Sequence, residues 1–341
     1  MKRKTLIVVL FICCRYAHAQ VGGQRSFDFL NIPGDARTAA LGGANVTMAG
    51  NDVNGFAQNP ALLDSAVHNH LSLSYLNYLG GVNFSNLAYA RTLKKYGTWA
   101  VNLKYIDYGS IVSYDPAGVE MGTFDSNEFV LAIAHSRETG VFSVGGSLKF
   151  ALSNIAGFKA NALLADIGGR FRHPEKDLNV GLVIKNLGVV LKDYDELSQS
   201  DLPFDVQLGV SFKPEHMPFR FSATAYHLYQ GDIAFFDPRG NINDQEDSEP
   251  GVADKIFRHL VFAAEFVPSK NFNLRVGYNH LMRRELRLQE ASGGAGFSFG
   301  VMFRVKAFEF AYSKALYHLA GSTNHLTLTS NFNSLITKKR T

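Results

Sequence analysis

The 341-residue chain is 46% hydrophobic and 12% aromatic, and only 19% of its residues are charged. This composition excludes intrinsic disorder, and a mean hydropathy of −0.05 excludes a bundle of transmembrane helices, each of which needs about 20 apolar residues. The whole formal charge of +4 comes from a short stretch without acids that contains Lys2, Arg3, Lys4 and Arg15. Without it, 30 basic residues balance 30 acidic ones, so the charge gives no support for nucleic-acid binding.

Residues 1–19 are predicted to be a signal peptide. Basic residues come first, an apolar run from Thr5 to Cys14 is too short to cross a bilayer, and Ala17 and Ala19 supply the small residues of a cleavage site. Cleavage there removes both cysteines of the chain. We therefore expect an exported protein without disulfides.

Residues 20–67 are predicted to form a plug segment rather than strands. The stretch 35–44 is rich in small residues, and an Asn-Pro pair at 59–60 favours a turn followed by a short helical segment. Small residues permit close backbone packing, so we expect this segment to fill the periplasmic half of a lumen. The residues that define the plug motif are Asp35, Arg37, Gly42, Gly43, Asp52, Asn59 and Pro60.

Residues 68–332 alternate between apolar and polar side chains in segments of about ten residues. In 270–279, for example, Phe272, Leu274 and Val276 alternate with asparagine and arginine. A period of two is typical of strands with one apolar face. About fourteen such segments occur, and short connections alternate with long ones near 109–125, 188–202, 230–256 and 281–293. This pattern predicts a transmembrane antiparallel β-barrel in the outer membrane of a Gram-negative bacterium.

Two features complete the predicted barrel. A C-terminal tail, 333–341, follows Phe332, the aromatic residue expected to end the last strand. Aromatic side chains near the predicted strand ends are expected at the lipid–water interfaces: Tyr75, Tyr78, Trp99, Tyr108, Tyr226, Tyr229 and Tyr317.

No catalytic, cofactor or metal site is predicted. Residues 296–300 match the nucleophile pattern G-x-S-x-G, but that motif requires a strand–turn–helix setting, whereas here the alternation continues as a strand to Val305. His68 and His70 form a close pair, but no third ligand stands nearby in the sequence. The sequence thus favours a protein that is not an enzyme.

The plug motif resembles the N-terminal region of the PorV/PorQ family, within the FadL-like superfamily of outer-membrane proteins. The resemblance lies in the run from Ala36 to Ala44, the following Asp52 and the Asn-Pro-Ala at 59–61, and the lead-in 29–37 looks more like the shorter PorQ branch. It implies a role in type IX secretion. A PorQ-like protein would hold a PorZ-like surface protein, with PorU and PorV in the wider complex that attaches cargo to lipopolysaccharide.

Two further functions remain open at the level of the sequence: a FadL-like transporter of hydrophobic small molecules, and an adhesin or structural scaffold. An apolar inner path would favour transport, whereas a lumen closed by paired charges would favour a scaffold. Many charges fall on the predicted inner face. We therefore prefer a scaffold.

The longest predicted loop, 230–256, is expected to dock the protein partner, because long loops in compact proteins usually have a use. The loop is strongly acidic, and two phenylalanines near its start would supply an apolar anchor. A solvated loop without a partner is the alternative. The residues predicted to bind are Phe235, Phe236, Asp244, Glu246, Asp247 and Glu249.

Overall fold

The alternating segments form fourteen strands in a computed structural model that describes residues 26–48, 50–195, 200–234, 250–286, 293–318 and 321–332. Each strand pairs with its neighbours in the chain, and β1 pairs with β14, which closes the barrel. The strands are β1 His70–Asn77, β2 Asn83–Leu93, β3 Gly97–Tyr114, β4 Glu120–Thr139, β5 Phe142–Ile155, β6 Phe158–Arg172, β7 Asp177–Lys192, β8 Asp205–Lys213, β9 Phe219–Ala225, β10 Leu260–Ser269, β11 Phe272–Asn279, β12 Phe297–Val305, β13 Phe308–His318 and β14 Gly321–Asn331.

The predicted antiparallel barrel of fourteen strands is confirmed. Every described strand pair is antiparallel, and closure runs from His70 opposite Asn331 to Asn77 opposite Asn324. Closure satisfies the backbone hydrogen bonds of both edge strands, as a barrel in lipid requires. The predicted signal peptide and the tail 333–341 lie outside the described residues.

The prediction of a long loop at 109–125 is wrong. β3 and β4 continue as a hairpin from Ser110 opposite Asp125 to Tyr114 opposite Glu120, and only residues 115–119 form the turn. The glycines and the Asp-Pro pair in this stretch imitate loop composition. The cross-strand hydrogen bonds nevertheless continue past them.

The outer face of the barrel is an apolar band. Side chains that alternate with buried positions along the strands point outward and are exposed, for example Leu73, Ile133, Leu182, Leu208 and Phe299. A closed barrel with such a band is a membrane-spanning structure. The protein is therefore an outer-membrane barrel. In such barrels the short turns lie on the periplasmic side and the longer loops lie outside, and the two ends of this barrel are named accordingly.

Of the aromatic residues expected at the interfaces, Tyr75 and Trp99 face outward and are exposed. Tyr226 and Tyr317 instead are buried, and the hydroxyl of Tyr108 donates a hydrogen bond to the inward carboxylate of Glu128. Position near a strand end does not determine which face a side chain occupies. The interfacial prediction is wrong for these three residues.

Three short α-helices in the described residues are not part of the barrel wall: α1 Ala36–Ala40, α2 Val252–Arg258 and α3 His280–Glu285. Among the described residues, no helix is long and apolar enough to cross a bilayer. α1 belongs to the segment before β1, whereas α2 and α3 lie in the long connections β9–β10 and β11–β12.

The segment before β1 runs through the lumen from the long-loop end to the short-turn end. Ser26 bonds to residues 200 and 201 in the β7–β8 connection, α1 contacts β11 to β14, and Pro60–Leu62 contacts β4, β5 and β6. The segment thus extends into the extracellular half as well as the expected periplasmic half.

Candidate functional site: the plugged lumen

Helix α1 begins immediately after Asp35, because the Asp35 carboxylate caps the helix. The Asp35 carboxylate accepts hydrogen bonds from the backbone N–H groups of Arg37 and Thr38, both at 2.9 Å, and from the Thr38 hydroxyl. Burial raises the pKa of Asp35 to about 6, and the neighbouring Asp52 carboxylate adds to the rise. This acid is therefore set to titrate near neutral pH.

A buried carboxylate on β10 holds the plug through Arg37. Arg37 Nε donates to Glu265 Oε1 at 3.1 Å, and Arg37 Nη2 donates to Glu265 Oε2 at 3.1 Å. Arg275 and Arg220 also bond to the Glu265 carboxylate, and Arg37 lies 3.6 Å from Asp52. One carboxylate thus joins the plug to three strands of the wall, and a bidentate Arg–carboxylate pair fixes orientation as well as distance.

Glycines on the inner face let the plug backbone approach the wall. A Cβ at Gly145 would lie 2.5 Å from the carbonyl carbon of Pro60, a Cβ at Gly209 would lie 2.7 Å from Val46, and a Cβ at Gly300 would lie 2.5 Å from the Cβ of Ala40. A strand glycine commonly marks such a close approach. The sequence analysis did not single out these glycines. Their positions among the inward-facing residues of the strands could have indicated a close approach of another backbone.

Asn59 and Pro60 seat the plug against β5 and β6. The Asn59 side chain accepts from the Ala61 N–H at 3.0 Å, which caps the turn that Pro60 begins. Its amide nitrogen donates to the carbonyls of Val46 at 3.1 Å and Gly169 at 3.2 Å. One side chain therefore links two parts of the plug to the wall.

The remaining plug-motif residues lie in the same interface. Gly42 and Gly43 both adopt positive φ, and the Gly42 N–H donates to the Ser298 hydroxyl at 3.1 Å, while that hydroxyl donates to the Ala40 carbonyl at 2.9 Å. Ser298, the serine of the G-x-S-x-G pattern, thus lies in β12 and binds the plug. Asp52 caps the turn Val53–Ala57 through the Asn54 N–H.

A second charged group crosses the lumen at the short-turn end. Arg170 Nη2 lies 3.3 Å from Asp64 of the plug and 3.2 Å from Glu138 of β4. Breaking a buried ion pair by removing one partner strongly destabilises a protein. The plug is therefore fastened near both ends of its periplasmic portion.

An apolar cluster lies in the extracellular half of the lumen, on the side formed by β1 to β6. Phe27 and Phe29 pack there against side chains from β1 to β6, including Leu76, Phe84 and Ile106. Lys104 Nζ donates to the carbonyls of Phe29 and Ile32 at 2.9 and 2.6 Å and so anchors this part of the plug. Next to this apolar cluster, a cavity of about 50 Å³ lies between the plug and strands β2 to β7.

The predicted partner-binding residues, Phe235, Phe236, Asp244, Glu246, Asp247 and Glu249, lie outside the described residues. At the described ends of that connection, Asp232 pairs with Lys255 at 2.8 Å, and Asp254 pairs with Arg258 at 2.8 Å and Arg284 at 3.0 Å. Partner binding by this loop stays a prediction.

Sequence reasoning also missed the tip of the β3–β4 hairpin. β3 leaves β2 after Asp107, and β4 meets β5 only from Asn127, so the intervening ribbon stands about 20 Å beyond its neighbours at about 3.3 Å per residue. Tyr114 is 62% exposed and Met121 is 69% exposed. Residues 105–127 contain four exposed or half-exposed acids, Asp107, Asp115, Glu120 and Asp125, and no Lys, Arg or His.

No known family profile matches the chain, and no curated protein matches its sequence. Solved structures similar to it include the Pseudomonas putida toluene transporter TodX, with 11% identity over 86% of this chain and 95% of that chain at a TM-score of 0.47. A Pseudomonas aeruginosa FadL homologue has 11% identity over 87% of this chain and 98% of that chain at 0.44. CymD, a monoaromatic hydrocarbon channel, has 12% identity over 89% and 97% at 0.48. These likenesses describe the general arrangement of the barrel and identify no substrate for this chain.

Proposed function

We propose that this protein is an outer-membrane scaffold that holds a soluble partner protein at the cell surface and does not conduct solutes. The observation that carries the proposal is the closure of the lumen by residues 26–67. The Arg37–Glu265 pair, the Arg170–Asp64 pair and the inward glycines fasten this segment to the wall. A pore would require these buried contacts to break together.

The β3–β4 hairpin supports a docking role. A ribbon with open edges and exposed apolar side chains is a ready site for another protein. Its uniform negative charge favours a partner with a basic rim and disfavours direct contact with lipopolysaccharide phosphates. Resemblance of the plug motif to the PorV/PorQ family gives the partner an identity to test: a PorZ-like protein in type IX secretion.

Substitutions on the hairpin test the scaffold in cells. We expect Tyr114→Lys combined with Met121→Lys to release the PorZ-like protein into the medium, since charges replace the apolar contact and oppose a basic rim. Ala156→Lys, in the exposed β5–β6 turn, is the matched control. Deletion of 239–249 in parallel tests the predicted acidic loop. If the PorZ-like protein stays at the cell surface with both the hairpin variant and the loop deletion, and the barrel is present at normal levels, docking at the hairpin and at the loop is contradicted.

A second candidate function is uptake of an apolar small molecule, and the apolar cluster in the extracellular half of the lumen favours it. Phe27 and Phe29 fill that region, so uptake would require their displacement by the ligand. A deletion strain separates the two functions. A scaffold predicts a released partner and unchanged growth on hydrophobic substrates, whereas a transporter predicts a retained partner and impaired growth.

A further inference from the structure

The cavity in the lumen is lined by more basic than acidic side chains. Its charged lining consists of three lysines, Lys104, Lys149 and Lys185, and two acids, Asp35 and Asp166. With all five groups ionised, one positive charge is left over. A buried charge without a counter-ion is costly, so the question is which lysine lacks a partner.

Lys149 is fully paired. Its ammonium lies 2.7 Å from Asp166 Oδ1 and donates to Asn186 Oδ1 at 2.5 Å. Asp166 also accepts from the Ser147 hydroxyl at 3.0 Å and from the Asn186 N–H at 2.8 Å. Lys104 is held by the two plug carbonyls of Phe29 and Ile32. Neither ammonium is left without acceptors.

Lys185 is placed in the cavity by a β-bulge. The β6–β7 register shifts between Ala165 and Ile167, so Lys185 and Asn186 both stand opposite Asp166, and Asn186 adopts φ of 57°. Two consecutive side chains are therefore buried on the inner face. Bulges commonly re-aim a side chain in this way.

The ammonium of Lys185 has no hydrogen-bond acceptor or ion-pair partner in the part of the chain that the structure describes, although the side chain is only 6% exposed. Lys149 repels its charge, and Asp166 and Asp205 attract it from beyond ion-pair distance. The side-chain amides of Asn86 and Gln58 line the same cavity and are 8% and 7% exposed. Lys185 thus faces the cavity together with two amide groups.

We propose that this cavity binds a small oxyanion, a carboxylate or phosphate group, which bonds to Lys185 Nζ and to the amide N–H groups of Asn86 and Gln58. A single negative charge balances the lining, and charge-assisted hydrogen bonds are the strong ones. A volume of about 50 Å³ holds about four water-sized groups, which suits one carboxylate or phosphate group and excludes a bulky ligand.

The bound anion would connect the plug to the wall. Gln58 belongs to the plug, whereas Asn86 lies on β2 and Lys185 on β7. A group shared by all three stabilises the closed lumen and acts independently of whether the protein is a scaffold or a transporter.

Equilibrium dialysis of the full-length barrel against radiolabelled acetate and, separately, radiolabelled inorganic phosphate tests the site at constant ionic strength. The barrel is also refolded from urea in each labelled anion, so that slow entry into the closed lumen does not count as failure. We expect saturable binding of one anion per barrel. Acetamide, which is neutral and similar in shape to acetate, should not compete.

Lys185→Met should weaken binding at least about tenfold, the loss of one charge-assisted contact. Lys159→Met, on the exposed end of β6, is the matched control and should bind like the wild type. Heat-dependent migration on gels verifies folding, and Asn86→Leu provides a second variant if Lys185→Met does not fold. Absence of saturable binding in the refolded wild type, equal binding by Lys185→Met, or competition by acetamide would overturn the proposal.

Discussion

Individual glycines determine how closely the plug packs against the barrel wall. Gly145 and Gly146 are adjacent on β5 but face opposite sides. A Cβ at Gly145 would meet the Pro60 backbone at 2.5 Å, whereas a Cβ at Gly146 would lie 3.6 Å from its nearest neighbour. Backbone atoms cannot turn aside as a flexible side chain can.

We therefore predict that Gly145→Ala lowers the free energy of unfolding by about 1–3 kcal/mol, the usual cost of overpacking. Gly146→Ala should change it by less than about 0.5 kcal/mol. Urea unfolding in lipid vesicles, followed by the fluorescence of the single tryptophan, Trp99, measures both. Equal effects of the two substitutions would contradict close packing at Pro60.

Asp35 gives the plug a pH dependence. Its pKa is about 6 in the folded protein, raised from 3.8 mainly by burial. Between these values the folded state binds a proton that the unfolded state does not, so the stability contributed by this group rises as pH falls from about 6 to about 4 and is lost as pH rises through 6.

Asp35→Asn keeps a side-chain oxygen to cap α1 but removes the titration. We predict that the difference in unfolding free energy between wild type and Asp35→Asn changes with pH between 4 and 6 and is constant above about 7. Urea unfolding at a series of pH values gives this difference directly. A flat difference across the window would show that Asp35 titrates elsewhere.

At the scale of elements, α1 is fastened to β10 by one carboxylate. Glu265 is buried and serves Arg37, Arg275 and Arg220, so its loss leaves three arginines without their shared acceptor. Glu309 also pairs with an arginine, Arg304, but this pair is partly exposed. The two glutamates thus form a matched comparison of buried and exposed pairs.

We predict that Glu265→Gln lowers the free energy of unfolding by about 3–5 kcal/mol, since it breaks a buried charge pair. Glu309→Gln should cost about 1 kcal/mol or less. Urea unfolding measures the loss of stability in each variant, and proteolysis measures how far the plug is loosened. If Glu265→Gln behaves like Glu309→Gln, the plug is held by packing rather than by charge.

Much of this architecture could be predicted from the alternation of side chains. β11, predicted from the alternation in 270–279, is observed at Phe272–Asn279, because strict alternation between an apolar and a polar face favours a strand. The hairpin at 109–125 escaped prediction because both of its faces are exposed and the alternation is lost there. Cross-strand hydrogen bonds, which the composition does not report, continue the ribbon.

The interior of the lumen could be predicted less well. The plug motif correctly drew attention to Arg37 and Asn59, but their partners Glu265 and Gly169 lie 228 and 110 residues away. The bulge that turns Lys185 inward depends on the register of β6 against β7. A local sequence pattern specifies neither which distant residues pair nor the register of neighbouring strands.

In the whole molecule, the lumen of the barrel is closed from the extracellular apolar cluster to the Arg170 ion pairs. A barrel of fourteen strands is wide enough for an aqueous or apolar path unless something fills it. The wall and the plug together therefore decide between a scaffold and a channel.

Planar-bilayer recording of the purified full-length protein tests this claim most directly, with Glu265→Gln as the variant that loosens the plug. We predict almost no conductance from the wild type and clear, fluctuating openings from Glu265→Gln. Large and steady conductance from the intact wild-type barrel would contradict a closed lumen and, with it, the scaffold.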